Sequence, residues 1–125
     1  MNHVAVYEKW APLVARVLLA IQFGVGAFSK ITMFSGQAAE TAAAGVPMAG
    51  LAVALALVLE IAGILALLSG YYIRLLGFLL AGYVMLLALI FYHDWSNLMN
   101  FGMFMSHLGL TAALLYVSVF GAKKN

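Results

Sequence analysis

The chain has 125 residues, of which 66% are hydrophobic and only 8% charged. Soluble domains carry about a quarter charged residues, and a fold this small has too much surface to hide so much apolar side chain, so lipid must solvate part of it. A formal charge of +2 without a basic tract leaves no footprint for nucleic acid, and the lack of cysteine excludes disulfides, thiolate metal sites and the small quinone-linked thiol oxidoreductases.

Four apolar stretches, at about 11–28, 49–68, 73–91 and 101–120, each approach the ~20 residues that a bilayer requires. They predict an all-α fold, a membrane four-helix bundle in a single domain over 1–125. The first stretch is too long for a cleaved signal peptide, contains Arg16 and precedes three further spans. Pro12 suits the first turn of its helix, where a missing N–H costs nothing. In the long connection that follows, Ser35 can cap a helix through Gln37, Glu40 and Ala44, with Gly45 just past its end and Pro47 beyond. That pattern predicts a short interfacial or re-entrant helix between the first two spans. Ser69-Gly70-Tyr71-Tyr72 breaks the second span from the third. His93-Asp94-Trp95-Ser96-Asn97 makes the last connection, with Trp95 as an interfacial anchor.

Four spans put both termini on one side. That side collects Lys9, Arg16, Arg74, Lys123 and Lys124, against Lys30 alone on the other, so the positive-inside rule predicts cytoplasmic termini in a bacterial inner membrane. Small residues recur at four-residue spacing, at Ala20 and Gly24, Ala52 and Ala56, Ala62 and Ala66, Gly77 and Ala81. In lipid such pairs let helix backbones approach.

Glu60 stands inside an otherwise apolar run, and a carboxyl group in hydrocarbon needs a partner, a proton or water. Seven leucines at about −0.5 kcal/mol each offset the ~3 kcal/mol insertion penalty of one charge, but the group still requires an internal position afterwards. Counting ten residues from the cytoplasmic edge places Gln22, Glu60 and Tyr83 at a common depth of about 15 Å. Arg16 is shallower, with a stem long enough to reach toward Glu60 or to snorkel. Arg16, Gln22, Glu60 and Tyr83 are therefore the expected polar core or ligand site, with Glu60 either a tie between helices or a ligand- and proton-handling group. Lys30, His93, Asp94 and Glu40 form a second cluster at the outer end, where a Lys30–Asp94 pair is geometrically reasonable.

The motifs resemble those of the DoxX family of small bacterial membrane proteins. Arg16 followed by Gly26-Ala27-Phe28-Ser29-Lys30 is similar to the family's first helix, and Gly45-Val46-Pro47 to the Gly-x-Pro before its second. Glu60-Ile61-Ala62-Gly63 with Gly70 and Arg74 resembles its Glu-x-x-Gly-Gly…Gly…Arg stretch, and His93-Asp94-Trp95 its His-Asp-aromatic close. The chain departs from the pattern at Ile64, and in the fourth helix, where Ser106-His107 and Thr111-Ala112 replace a Lys-Asn pair and a double glycine. The resemblance implies a subunit of a membrane oxidoreductase assembly, without implying catalysis by this chain alone.

A quinone pocket in such an assembly requires an apolar slot with hydrogen-bond donors for the carbonyls, for which Tyr83, Gln22, His93 and His107 are candidates and Glu60 a candidate proton carrier. Met99, Met103 and His107, spaced i, i+4, i+8, are instead a candidate copper(I) set of thioether and imidazole ligands, although methionine stripes also serve as flexible packing. A haem between His93 and His107 is disfavoured by their unequal depths, about 9 Å apart. A purely structural subunit, associating with itself or with other membrane proteins through the small-residue faces, is the remaining alternative. No nucleophile–base pair or phosphate loop is present.

Overall fold

The computed structural model describes residues 3–121, and Lys123 and Lys124 lie outside them. Among the described residues the chain folds into five helices and no strand: α1 (His3–Thr32), α2 (Phe34–Ala43), α3 (Ala49–Ser69), α4 (Ile73–Phe91) and α5 (Leu98–Phe120). All but α2 are long and apolar enough to cross a membrane. The 21 residues of α3 rise about 31 Å, close to the ~30 Å of a hydrocarbon layer. The architecture is the expected membrane four-helix bundle, with a short helix between the first two spans.

α1 runs on to Thr32, four residues past the expected end of the first span, and three helix starts differ from the sequence reading, each for a local reason. α1 begins at His3, so Pro12 sits inside the helix rather than in its first turn. The proline removes the donor to the Glu8 carbonyl, a loss tolerable where residues 3–10 are all exposed. In α2 the N-cap is Met33, which makes no side-chain bond, and Ser35 is the second helical residue. Backbone bonds from Met33 N to Ser29 O and from Gln37 N to Met33 O carry the chain from α1 into α2 without a polar cap. α5 starts three residues early because the Asn97 side chain accepts from Met99 N at 2.8 Å and Asn100 N at 3.4 Å.

The other ends follow glycine. Gly45, at φ +93°, closes α2 by donating to Ala42 O while Val46 N reaches Thr41 O, the paired bonds of a Schellman ending. Gly70, at φ +83°, ends α3 with its N–H on Ala66 O and opens the three-residue turn into α4.

The helices pack as two antiparallel pairs, α1 with α3 and α4 with α5, joined mainly through α3 and α4, while α1 barely touches α5. The core of Leu67, Ile73, Leu80, Val84 and Leu114 fills the centre. One glycine opens each interface. A Cβ on Gly63 would lie 2.5 Å from Leu80 Cδ1, and one on Gly77 would lie 2.8 Å from Ser118 Cβ and 3.2 Å from its Cα. Of the small residues singled out by spacing, Gly77 and Ala81 are buried, whereas Gly24 faces open space.

These two contacts differ in what can yield. Leu80 can rotate its methyls away, but the Ser118 backbone cannot move without shifting α5. Gly77→Ala is expected to destabilise the bundle by about 1–3 kcal/mol and Gly63→Ala by less. Unfolding in mixed detergent–SDS micelles, followed by helical circular dichroism, orders the two; the reverse order would contradict this packing.

Candidate functional site

Glu60 is 3% exposed and lies on the α3 face turned toward both α1 and α4. On α4, the Tyr83 hydroxyl donates to Glu60 Oε2 at 2.5 Å. On α1, Lys30 Nζ lies 2.8 Å from the same oxygen. One carboxylate oxygen thus joins three helices.

Side-chain direction explains the Lys30 contact. Helical side chains lean toward the N-terminus of their own helix and cover the preceding turn. Lys30, in the last turn of α1, therefore reaches back over Gly26 at i−4, and the missing side chain there leaves room for the carboxyl group. A Cβ on Gly26 would sit 3.2 Å from Glu60 Oε1. Gly26 thereby sets the level of Glu60, four residues or about 6 Å from Gln22 along the helix. Across α3 and α4 the register runs antiparallel, Glu60 against Tyr83 and Gly63 against Leu80.

Gln22 does not join this cluster and is exposed, because Leu19, Ala20, Phe23 and Ala27 take the inward face of α1. Arg16 does not reach Glu60 either. Its Nε and Nη1 are buried without a hydrogen-bond partner, as is Glu60 Oε1. The Lys30–Asp94 pair does not form. Asp94 accepts instead from the Ser96 hydroxyl at 2.6 Å and from the Ser96 N–H at 3.2 Å, and these bonds, the hydroxyl's first, hold its carboxyl below the ordinary carboxylate range. His93 is exposed, with Nδ1 3.2 Å from Ile90 O. Met99 and Met103 are exposed; His107 is half-buried, its Nδ1 2.8 Å from Met103 O and its ring 5.2 Å from that of Tyr92.

Beside the Glu60 cluster a half-open cavity of about 500 Å³ lies between α2, α3 and α4, reaching His107 on α5. Its walls are apolar along Leu55, Leu59, Leu86 and Ile90, and its polar lining residues are Lys30, Gln37, Glu40, Thr41, Tyr83, Tyr92 and His107. Gln37 Nε2 donates to Ser29 Oγ at 2.6 Å and fastens α2 over the end of α1. Glu60 itself is not in the lining; Lys30 and Tyr83 stand between it and the cavity. Gln37 was read only as a position of the short helix, and Thr41 was singled out by no charge or motif. The spacing Gly26-x-x-x-Lys30, combined with the direction of helical side chains, does carry the Lys30–Glu60 contact.

The pair is asymmetric in its escape routes. A Lys30 without its carboxylate can swing toward the headgroups from the last turn of α1, but a Glu60 without its ammonium stays in the span. Lys30→Met is expected to cost about 3–5 kcal/mol, the penalty for orphaning a buried charge, and Glu60→Gln clearly less. The double variant is expected to recover most of the Lys30→Met loss. Unfolding of the four proteins in mixed micelles tests this, and equal costs for the two single variants would refute the asymmetry.

Comparison with known proteins agrees with the helix pattern. The DoxX family matches residues 11–94. The chain is 34% identical to the inner membrane protein YqjF of Escherichia coli (strain K12) over 114 residues, 91% of this chain and 86% of that one. It is 27% identical to the inner membrane protein YphA of the same organism over 117 residues, 87% of this chain and 81% of that one. No solved structure matches it. With four membrane-spanning helices and the family's motifs in order from Arg16 to Trp95, this chain is a membrane protein that belongs to the DoxX family.

Proposed function

We propose that this protein is an accessory subunit of a redox assembly in the bacterial inner membrane, and that its cavity receives a quinone head group. The observation that carries this reading is the state of Lys30 at the cavity wall. An ammonium group has three N–H donors, and Glu60 takes one, leaving two for a ligand. Because Glu60 already balances its charge, the site favours a neutral carbonyl acceptor over a carboxylate or phosphate. Cavities of about 300–1,000 Å³ with apolar walls and a few placed polar groups suit small ligands, and this one has room for a ring and the start of an isoprenoid tail.

The resemblance of the two relatives, both named inner membrane proteins, supports the location. The orientation rests on Lys9, Arg16 and Arg74 clustering at one end, together with Lys123 and Lys124 beyond the described residues. Under the positive-inside rule the termini are then cytoplasmic, and the cavity lies toward the opposite leaflet. In this reading the protein holds the ligand and partner subunits of the assembly carry the electron transfer.

Binding of a short-chain ubiquinone analogue to the purified protein in nanodiscs, read by tryptophan quenching, tests this reading. Hydrogen bonds to charged groups contribute about 1.5–3 kcal/mol, so the folding-competent pair Lys30→Met with Glu60→Gln is expected to bind about ten- to a hundredfold more weakly. Tyr83→Phe is expected to lose less, since its hydroxyl is committed to Glu60. Unchanged affinity in the double variant would sink the proposal.

A further inference from the structure

The lipid-facing surface of α1 carries one polar side chain that the bundle leaves unused. Gln22 is exposed and, among the described residues, its side chain makes no hydrogen bond. Its neighbours on that surface are Val14, Leu18, Ile21 and Val25, all exposed, with Leu18 at 61% and Val25 at 67%. Leu18, Gln22 and Val25 repeat at the four-three spacing by which two helices interlock, so the carboxamide lies on the seam itself.

Acyl chains offer neither a donor nor an acceptor, so a carboxamide among them is left with both halves unmet. Nor can Gln22 snorkel. Lys30 lies about 12 Å further along the helix and Arg16 about 9 Å back, so neither end of the apolar segment is within reach of so short a side chain. The group needs a protein partner at its own depth.

The chemistry of the amide narrows what that partner is. A carboxamide donates through its nitrogen and accepts through its oxygen, so its full complement is a second carboxamide in the reverse orientation. A twofold axis beside α1 supplies that from the same residue of a second copy, at equal depth by symmetry. An unrelated protein would have to place a polar group of matching depth and orientation independently. We propose that two copies of this protein pair along α1, with the Gln22 amides hydrogen-bonded to each other across the axis and Leu18 and Val25 packing above and below them in the seam. The inward face of α1, which holds Lys30 over Gly26, is untouched, so this pairing does not depend on what the cavity binds.

The chain has no cysteine, which makes the test direct. Single substitutions Leu18→Cys, Val25→Cys and, as a control on the lipid-facing side of α4, Leu89→Cys are introduced into the full chain and oxidised in native membranes. Leu89 is 54% exposed, so its thiol is as accessible as the others. Covalent homodimers are expected at positions 18 and 25 and not at 89. In proteoliposomes, Gln22→Leu is expected to weaken self-association about three- to thirtyfold by fluorescence energy transfer across a lipid-dilution series, the range of interhelical polar bonds in membranes. Leucine on a lipid-facing surface favours insertion, so the variant folds. Equal cross-linking at Leu89, cross-links from Val25→Cys to a different protein alone, or an unchanged dissociation constant for Gln22→Leu would each overturn the proposal.

Discussion

A carboxylate cannot rest in hydrocarbon alone, and the arrangement of this bundle follows from how that one demand is met. Glu60 draws an ammonium from α1 and a hydroxyl from α4 onto the same oxygen. Apolar contact alone does little to choose among helix arrangements in lipid, because acyl chains are as apolar as leucine. The polar tie makes that choice. It fixes which helices flank α3 and at what level, and Gly26, Gly63 and Gly77 then allow the backbones to close to contact. The sparse contact between α1 and α5 is consistent with this. No polar bond links them among the described residues, and their side of the ring is held only indirectly.

Length and hydropathy made the four spans legible, and Gly45 and Gly70 marked the ends of α2 and α3 for reasons of backbone conformation, whereas the cap that Asn97 gives α5 was hidden in a connection. The polar centre was legible in part. Glu60 was conspicuous as the charge inside an apolar run, and counting residues set Tyr83 at its level. The same count set Gln22 there and Lys30 too high, because it located backbones and ignored where side chains lean. A lysine reaches most of the way down the turn beneath it, and a glycine at i−4 lets it. Gln22 illustrates the opposite limit: depth was readable, but the choice between inward and outward depended on Phe23 and Ala27 claiming the inner face. The cavity was legible only in part: Tyr83, His107, Lys30 and Glu40 were conspicuous as polar groups, but that α2 folds over them and adds Gln37 and Thr41 is marked by no periodicity.

The cavity and the polar tie share residues, and that sharing shapes what the site can do. Lys30 and Tyr83 belong to both, so a ligand touching either also touches the group that holds three helices together. Ligand binding and bundle stability are therefore linked: whatever engages the free donors of Lys30 without breaking its bond to Glu60 stabilises the folded state by mass action. In the function proposed above, the apolar walls give affinity for a ring or tail, while the compensated charge sets the preference for an uncharged head.

The short turn at Gly70 to Tyr72 bears on how the chain enters the membrane. Glu60 and Tyr83 stand on adjoining helices joined by only three residues, so they meet as soon as that hairpin closes, with a small loss of chain entropy. The acid therefore crosses the hydrocarbon already hydrogen-bonded by its own hairpin, before α1 need be in position. Lys30 of α1 completes the contact, so the carboxyl group has a partner within its own hairpin wherever α1 stands when that hairpin closes.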